Sequence, residues 1–297
     1  MALYAFDGTG NEDRIEDEFD TNVCDFFHAY EDPLKNDDPS RERGSLYQKG
    51  IGQLARTLIG DTLASALGIG GHKRVRRAME RLEDNILAGD STVDIVGFSR
   101  GGALAISFAN EIAEHLPGLQ IRFIGVWDIV GQFGLPGEHV NAGHNLRFPP
   151  NVANCFHAMA MDESRLLFPL TRLGRGRHTS PRLTEVWFRG VHSDVGGGNG
   201  NRGLNWIALH WMYCAAKRCG LPISEAAIAR NLADKDLPQQ ISAHKLDAGR
   251  VRLFFESDLL HHSVQLTPGI PGRPHNNPPF PCARIDDDNV ISEVAAG

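Results

Sequence analysis

The 297-residue sequence predicts an α/β fold: a mostly parallel sheet with helices on both faces. Apolar strand-like runs alternate with helical stretches along most of the chain, and that order favours parallel pairing through helical crossovers. Several of the apolar runs stop at glycine or at a residue able to do chemistry, and in such sheets functional groups gather beyond the C-terminal strand ends. Composition fits a globular chain of this class, with 41% hydrophobic and 23% charged residues. No internal repeat or linker interrupts it, so residues 1–297 are expected to form a single domain.

The elements follow in order. Residues 2–6 (ALYAF) read as a short apolar strand running into Asp7-Gly8-Thr9-Gly10-Asn11, a tight loop with exposed backbone N–H groups. Residues 12–45 are polar and acidic, with a helix expected near 22–28. The glycine-punctuated stretch 45–71 shows helical spacing in Leu54, Leu58, Leu63 and Leu67. It reads as a core helix or, within the wider region 12–71, as a lid over an apolar site. Residues 72–88 form an amphipathic helix with Val75, Met79, Leu82 and Ile86 on one face. Its cluster Lys73, Arg74, Arg76 and Arg77 is a solvated face or a contact for phosphate head groups.

Strands are then expected over 93–98, 120–127 and 184–188, and helices after Ser99, over 204–218 and near 224–232. Residues 251–255 read as a late strand. Six prolines between 268 and 281 exclude regular structure and make 268–297 an extended surface segment. The run Asp286-Asp287-Asp288 lacks the ligand spacing of a calcium loop and reads as a solvated acidic tail.

Bulk properties narrow the function. A net charge of −7 and a pI near 6.0 exclude nucleic acid as a bulk electrostatic partner. No run approaches the roughly 18 apolar residues of a membrane span. The N-terminus has no basic region followed by an apolar core, so no secretory signal is expected. Five scattered cysteines without a C-x-x-C pair point to free thiols in a reducing, cytoplasmic compartment, with export by a route that reads no signal peptide left open. The pattern calls for no metal and no organic cofactor.

The central motif is Gly97-Phe98-Ser99-Arg100-Gly101, a G-x-S-x-G between an apolar strand and a helix rich in small residues. That setting makes it a nucleophile elbow, with Ser99 exposed at a helix N-terminus. Two later strands end at Asp128 and at His192, so nucleophile, acid and base occur in the chain order that α/β-hydrolases use. A serine needs an imidazole to take its proton, and the imidazole needs a carboxylate to fix its tautomer. The Arg100 N–H and an N–H of Gly8 or Thr9 are the candidate oxyanion donors. Asp7 and Asp194 are expected to support the site. Asp194 competes with Asp128 as the acid, although its place two residues after His192 suits it better to shaping the loop. His261 and His262 are the fallback bases. A rival motif, G-x-G-x-x-G at 198–203, would mark a dinucleotide site if an acid such as Glu225 closed the next strand.

Four ordered blocks also resemble a known family. Phe6-Asp7-Gly8-Thr9-Gly10-Asn11, Gly97-Phe98-Ser99-Arg100-Gly101, Gly125-Val126-Trp127-Asp128 and Gly190-Val191-His192-Ser193-Asp194-Val195-Gly196-Gly197-Gly198 are similar to the signature blocks of the DUF2235 family. That family includes the Tle1-type phospholipase effectors of bacterial type VI secretion. Weaker agreement at 47–52, 158–165 and 203–212 extends the resemblance over residues 2–215. Gly102 stands where alanine is usual after the elbow, and Ile129 where threonine is usual after the acid. The resemblance implies an α/β-hydrolase fold, hydrolysis of carboxylic esters with phospholipid acyl esters foremost, and the residues Ser99, Asp128 and His192. As an effector the chain would meet a membrane surface transiently, and an immunity protein or the secretion apparatus would be its protein partner. Small soluble or polymeric esters, or a catalytically inactive module binding lipid or protein, are the alternatives.

Overall fold

The structure, a computed structural model, describes residues 1–8, 20–34, 43–50, 61–131, 144–174, 180–242, 250–265 and 276–292, with the backbone alone for 61–69. Among the described residues the sheet has nine strands: β1 (Ala2–Phe6), β2 (Leu46–Gln48), β3 (Val93–Phe98), β4 (Ile121–Trp127), β5 (Val152–Ala160), β6 (Leu183–Phe188), β7 (Leu259–His261), β8 (Arg284–Ile285) and β9 (Ile291–Ser292). Their order is β2-β1-β3-β4-β5-β6-β7-β8-β9, parallel throughout except for the final β8–β9 pair. The chain steps back from β1 to β2 and forward from β3, so the sheet reverses direction between β1 and β3. Crevices at such reversals are where open α/β sheets place their ligands.

Alternation along the strands feeds the two larger of three buried clusters; the third gathers around Met159, Trp187 and Leu260. Ala2, Tyr4 and Phe6 point to one face and Leu3 and Ala5 to the other. The first face is covered by α2 (Asp61–Leu87) and α3 (Arg100–His115), through Val75, Ala78 and Leu82 of α2 and the small residues of α3. The second is covered by α1 (Asn22–Ala29), α5 (Arg202–Arg218) and α6 (Glu225–Ala233), where Phe26 and Trp211 meet Phe123, Trp127 and Phe156. Thr21 caps α1 by accepting the Cys24 N–H at 3.2 Å.

Most expected elements stand within a residue or two of their predicted bounds, and the differences have physical causes. β5 was not foreseen, because Asn154 and His157 interrupt its apolar run; His157 is fully buried and satisfied by Glu185 at 3.0 Å. The helices expected at 45–71 and 72–88 are one helix from Asp61, preceded by the edge strand β2. The lid reading falls largely on residues 51–60, outside the described residues. Arg74 leaves the basic cluster to bond the carbonyls of Lys49 (3.0 Å), Gly50 (3.2 Å) and Gly70 (3.2 Å), so it ties the chain beyond β2 to α2. Residues 251–255 are not a strand; they form a strap whose Arg252 side chain turns inward. The acidic run is not a solvated tail either. It makes the β8–β9 turn, where Asp286 Oδ1 accepts the N–H groups of Asp288 (3.0 Å) and Val290 (2.8 Å).

Candidate active site

Ser99 sits between β3 and α3 at φ 58°, ψ −126°, a backbone conformation that a side chain rarely adopts. Two bonds hold it there: the Ser99 N–H donates to Trp127 O (3.0 Å) and the Val130 N–H donates to Ser99 O (3.1 Å). The flanking glycines leave no room for a side chain. A Cβ on Gly97 would lie 2.7 Å from Gly101 O, and one on Gly101 would lie 2.1 Å from Phe6 O. The elbow is therefore wedged directly against the end of β1, on the crevice between β1 and β3.

Asp128 follows β4 with a second positive φ, 41°, and its carboxylate is fully buried. His192 opens the short helix α4 (His192–Gly196) after β6. The two meet: His192 Nδ1 donates to Asp128 Oδ2 at 2.6 Å. That bond leaves Nε2 with the lone pair, which is the tautomer a general base needs. The rings of Phe98 (centroid 4.6 Å) and Phe168 (4.7 Å) flank the imidazole, so the Ser99 strand end and His192 are packed together through the residue before Ser99. No hydrogen bond joins the Ser99 hydroxyl to His192 in this conformation; such bonds commonly tighten only with substrate.

Three supporting residues were not legible beforehand. Arg252 lies almost fully buried and forks onto Asp128, with Nη2 2.9 Å from Oδ2 and Nη1 bonded to Oδ1. Glu163 accepts the His192 backbone N–H (3.1 Å) and is paired with Arg165 (2.6 Å). His157 accepts the Ile129 N–H (3.3 Å), steadying the turn just after Asp128. Burial opposes ionisation of Asp128, but the Arg252 charge and the His192 hydrogen bond overcome it and hold the carboxyl well below the usual range. Burial lowers the proton affinity of His192, and Arg252 lowers it further against the pull of Asp128 and Glu163.

The remaining candidates divide. Asp194 does not reach the imidazole; it shapes the loop, accepting N–H groups of Val191 (3.0 Å) and Ser242 (2.9 Å) and the amides of Asn199 (2.9 Å) and Asn201 (2.8 Å). Asp7 supports the crevice wall by accepting the hydroxyls of Thr21 (2.8 Å) and Tyr47 (2.5 Å). It also takes the Gly8 N–H at 2.6 Å, so this oxyanion candidate is engaged in the present conformation. Thr9 lies outside the described residues. The Arg100 N–H belongs to the first turn of α3, directly after Ser99.

The 198–203 motif does not turn from a strand into a helix, because α4 intervenes, and its asparagines are bound to Asp194. Glu225, the acid it would need, instead starts α6 and pairs with Lys217. His261 is bonded to Ser263 (2.8 Å) and Asp287 (3.3 Å), and His262 faces Asp287 at 3.5 Å, so the fallback bases are directed elsewhere. Among the described residues, His261, His262 and Asp287, and Asp20, Cys24 and His28, are the two groups whose donor atoms lie close enough to share a metal ion. Both stand outside the set of Ser99, Asp128 and His192.

Comparison with known proteins gives the family. A family model described as "T6SS, Phospholipase effector Tle1-like, catalytic domain" matches residues 3–119 and 110–215, well over half of the chain. The chain belongs to that Tle1-like family. Among curated proteins none matches the sequence. A crystal structure of an uncharacterized protein from Pseudomonas aeruginosa is similar at 24% identity and TM-score 0.54, over 78% of this chain and 48% of that one. The Tle1 effector bound to the VgrG spike from the type VI secretion system also aligns, at 24% identity and TM-score 0.46, over 68% of this chain and 51% of that one. This chain thus spans about half the length of each. With a mostly parallel sheet covered by helices on both faces, the Tle1-like chain has an α/β fold.

Proposed function

We propose that this Tle1-like chain is a serine hydrolase of carboxylic esters, with phospholipid acyl esters as its substrate class. The observation that carries the reading is the 2.6 Å His192–Asp128 pair, set at strand ends beside a serine held at positive φ. In this mechanism Ser99 Oγ attacks the ester carbonyl carbon while His192 Nε2 takes the hydroxyl proton. The carbonyl electrons move to oxygen, and that oxyanion is met by the Arg100 N–H and a second donor from the loop at Gly8 and Thr9. His192 then gives the proton to the departing alcohol, leaving Ser99 acylated. Water repeats the sequence, with His192 as base, to release the acid. Asp128 keeps the imidazole oriented and stabilises its charged form.

Family membership supports lipid over small soluble esters, and it supports delivery by type VI secretion with a protein of that apparatus as partner. None of the described helices is long and apolar enough to cross a membrane. In this reading the ester bond is met at a lipid surface.

The test compares wild type and Ser99→Ala on p-nitrophenyl esters and on phosphatidylcholine liposomes. Hydrolysis by wild type alone, steeper on liposomes than on soluble ester, is the expected result. Equal hydrolysis by both proteins removes Ser99 from the chemistry. A wild type inert on both, though folded, favours a binding module.

A further inference from the structure

We propose that Arg252 is a positioning residue for this site: its guanidinium grips both oxygens of the Asp128 carboxylate, fixing the plane against which His192 aligns and keeping that histidine a free base. The inference rests on the reading of Ser99, His192 and Asp128 as the reacting set.

The geometry is that of a built clamp. Arg252 Nη2 donates to Asp128 Oδ2 at 2.9 Å and Nη1 donates to Oδ1, the two-to-two match that a guanidinium makes with a carboxylate. The guanidinium is itself anchored, with Nη1 on Ala160 O (2.6 Å) and Nη2 on Phe168 O (3.1 Å). Its strap is tied down by Asn276, whose Nδ2 donates to Arg252 O (3.0 Å) and Met161 O (2.8 Å). Asp128 thereby receives four donors, two on each oxygen: Ala160 N–H (2.8 Å) and Arg252 on Oδ1, His192 and Arg252 on Oδ2. A carboxylate held on both oxygens cannot rotate about its own axis, so the direction from which His192 Nδ1 is held is fixed as well.

Charge gives the clamp a second consequence. Five groups with charge or titration gather here: His192 from α4, Asp128 from the end of β4, Arg252 from the strap, and the pair Glu163 and Arg165 beyond β5. Phe98 and Phe168 fill the flanks and exclude water. In so dry a setting an uncompensated Asp128 would draw a proton onto His192 and consume the base before substrate arrives. Burial is the main cause of the lowered proton affinity of His192, and the positive charge on the far side of the same carboxylate acts in the same direction, offsetting part of that pull. Lysine could supply the charge but not the fork.

The experiment is the pH dependence of kcat/KM on a soluble p-nitrophenyl ester for wild type, Arg252→Lys and Arg252→Met, with melting curves and circular dichroism alongside. Arg252→Met is expected to move the acid limb up by about one pH unit, the scale on which one neighbouring charge shifts a buried group. Arg252→Lys is expected to leave the limb in place and lower the plateau by about tenfold. A folded Arg252→Met protein whose limb coincides with wild type overturns the proposal, since a merely structural arginine would lower the plateau without moving the limb. Should Arg252→Met fail to fold, Arg252→Gln takes its place in the limb measurement: a limb moved up sustains the proposal, and one that coincides with wild type overturns it. Ser99→Ala separates this from the reading beneath it. Retained hydrolysis in Ser99→Ala defeats both, whereas a silent Ser99→Ala with an unmoved Arg252→Met limb defeats the clamp alone.

Discussion

Replacing Gly101 with alanine tests the elbow where its packing is tightest. The new Cβ would sit 2.1 Å from Phe6 O and 2.6 Å from Asp7 O, more than an ångström inside ordinary contact. The obstacle is main chain, and β1 is hydrogen-bonded on both sides, to β2 and to β3, so it cannot retreat without breaking the sheet. Overpacking against movable side chains costs about 1–3 kcal/mol, and a clash with a paired strand falls in the exceptional range of about 4 kcal/mol or more. At about 2–4 °C per kcal/mol for chains approaching this size, Gly101→Ala should melt about 10 °C below wild type. It should also label poorly with a fluorophosphonate, because Ser99 is displaced with the turn. Gly102 supplies the control on the next residue. A Cβ there meets Ile129 Cγ1 at 3.0 Å, a side-chain atom that can shift, and alanine gains about 1 kcal/mol of helix propensity. Gly102→Ala should therefore melt within a few degrees of wild type and label normally. A Gly101→Ala protein that melts and labels like wild type would refute the packing of α3 against β1.

Two further outcomes follow from the buried charges. Asp128→Asn should reduce kcat by about 10⁴ with the fold retained, since an amide cannot hold His192 in the required tautomer; a loss under tenfold, measured on soluble ester, would remove Asp128 from the acid role. His144, stacked on His72 at 4.3 Å and bonded to Ser107 at 3.0 Å, has its pKa pushed down from 6.5 to about 4 by burial and by the His72 charge. Between those values the unfolded chain binds a proton that the native state refuses, so stability falls as pH drops from 6.5 towards 4. Urea midpoints across that range should flatten in His144→Gln, and an unchanged slope would count against the assignment.

The parts of the candidate site written in local sequence are legible there. Ser99 announces itself through flanking glycines whose necessity is steric, and Asp128 and His192 stand at the ends of apolar runs long enough to be strands. What could not be read depends on contacts made far apart in the chain. Arg252 lies in a segment whose alternating Val251, Leu253 and Phe255 suggest a strand; those residues are exposed, and the arginine turns inward because a carboxylate 124 positions earlier receives it. β5 was hidden by His157, a polar residue tolerable at the sheet centre only because Glu185 of the neighbouring strand satisfies it. The G-x-G-x-x-G at 198–203 misled for the opposite reason. Its glycines meet local demands, such as Gly203 packed against Pro238 O and Gly198 and Gly200 at positive φ, and none of these demands concerns phosphate.

The central claim is that Ser99 forms an acyl-enzyme. Its most direct test is the intact mass of the folded protein after exposure to a fluorophosphonate, with the modified peptide mapped. A single adduct on Ser99, lost in Ser99→Ala and slowed in Asp128→Asn, is the predicted result. A folded wild type that takes up no adduct, or one that carries it on another residue and keeps it in Ser99→Ala, would contradict the account.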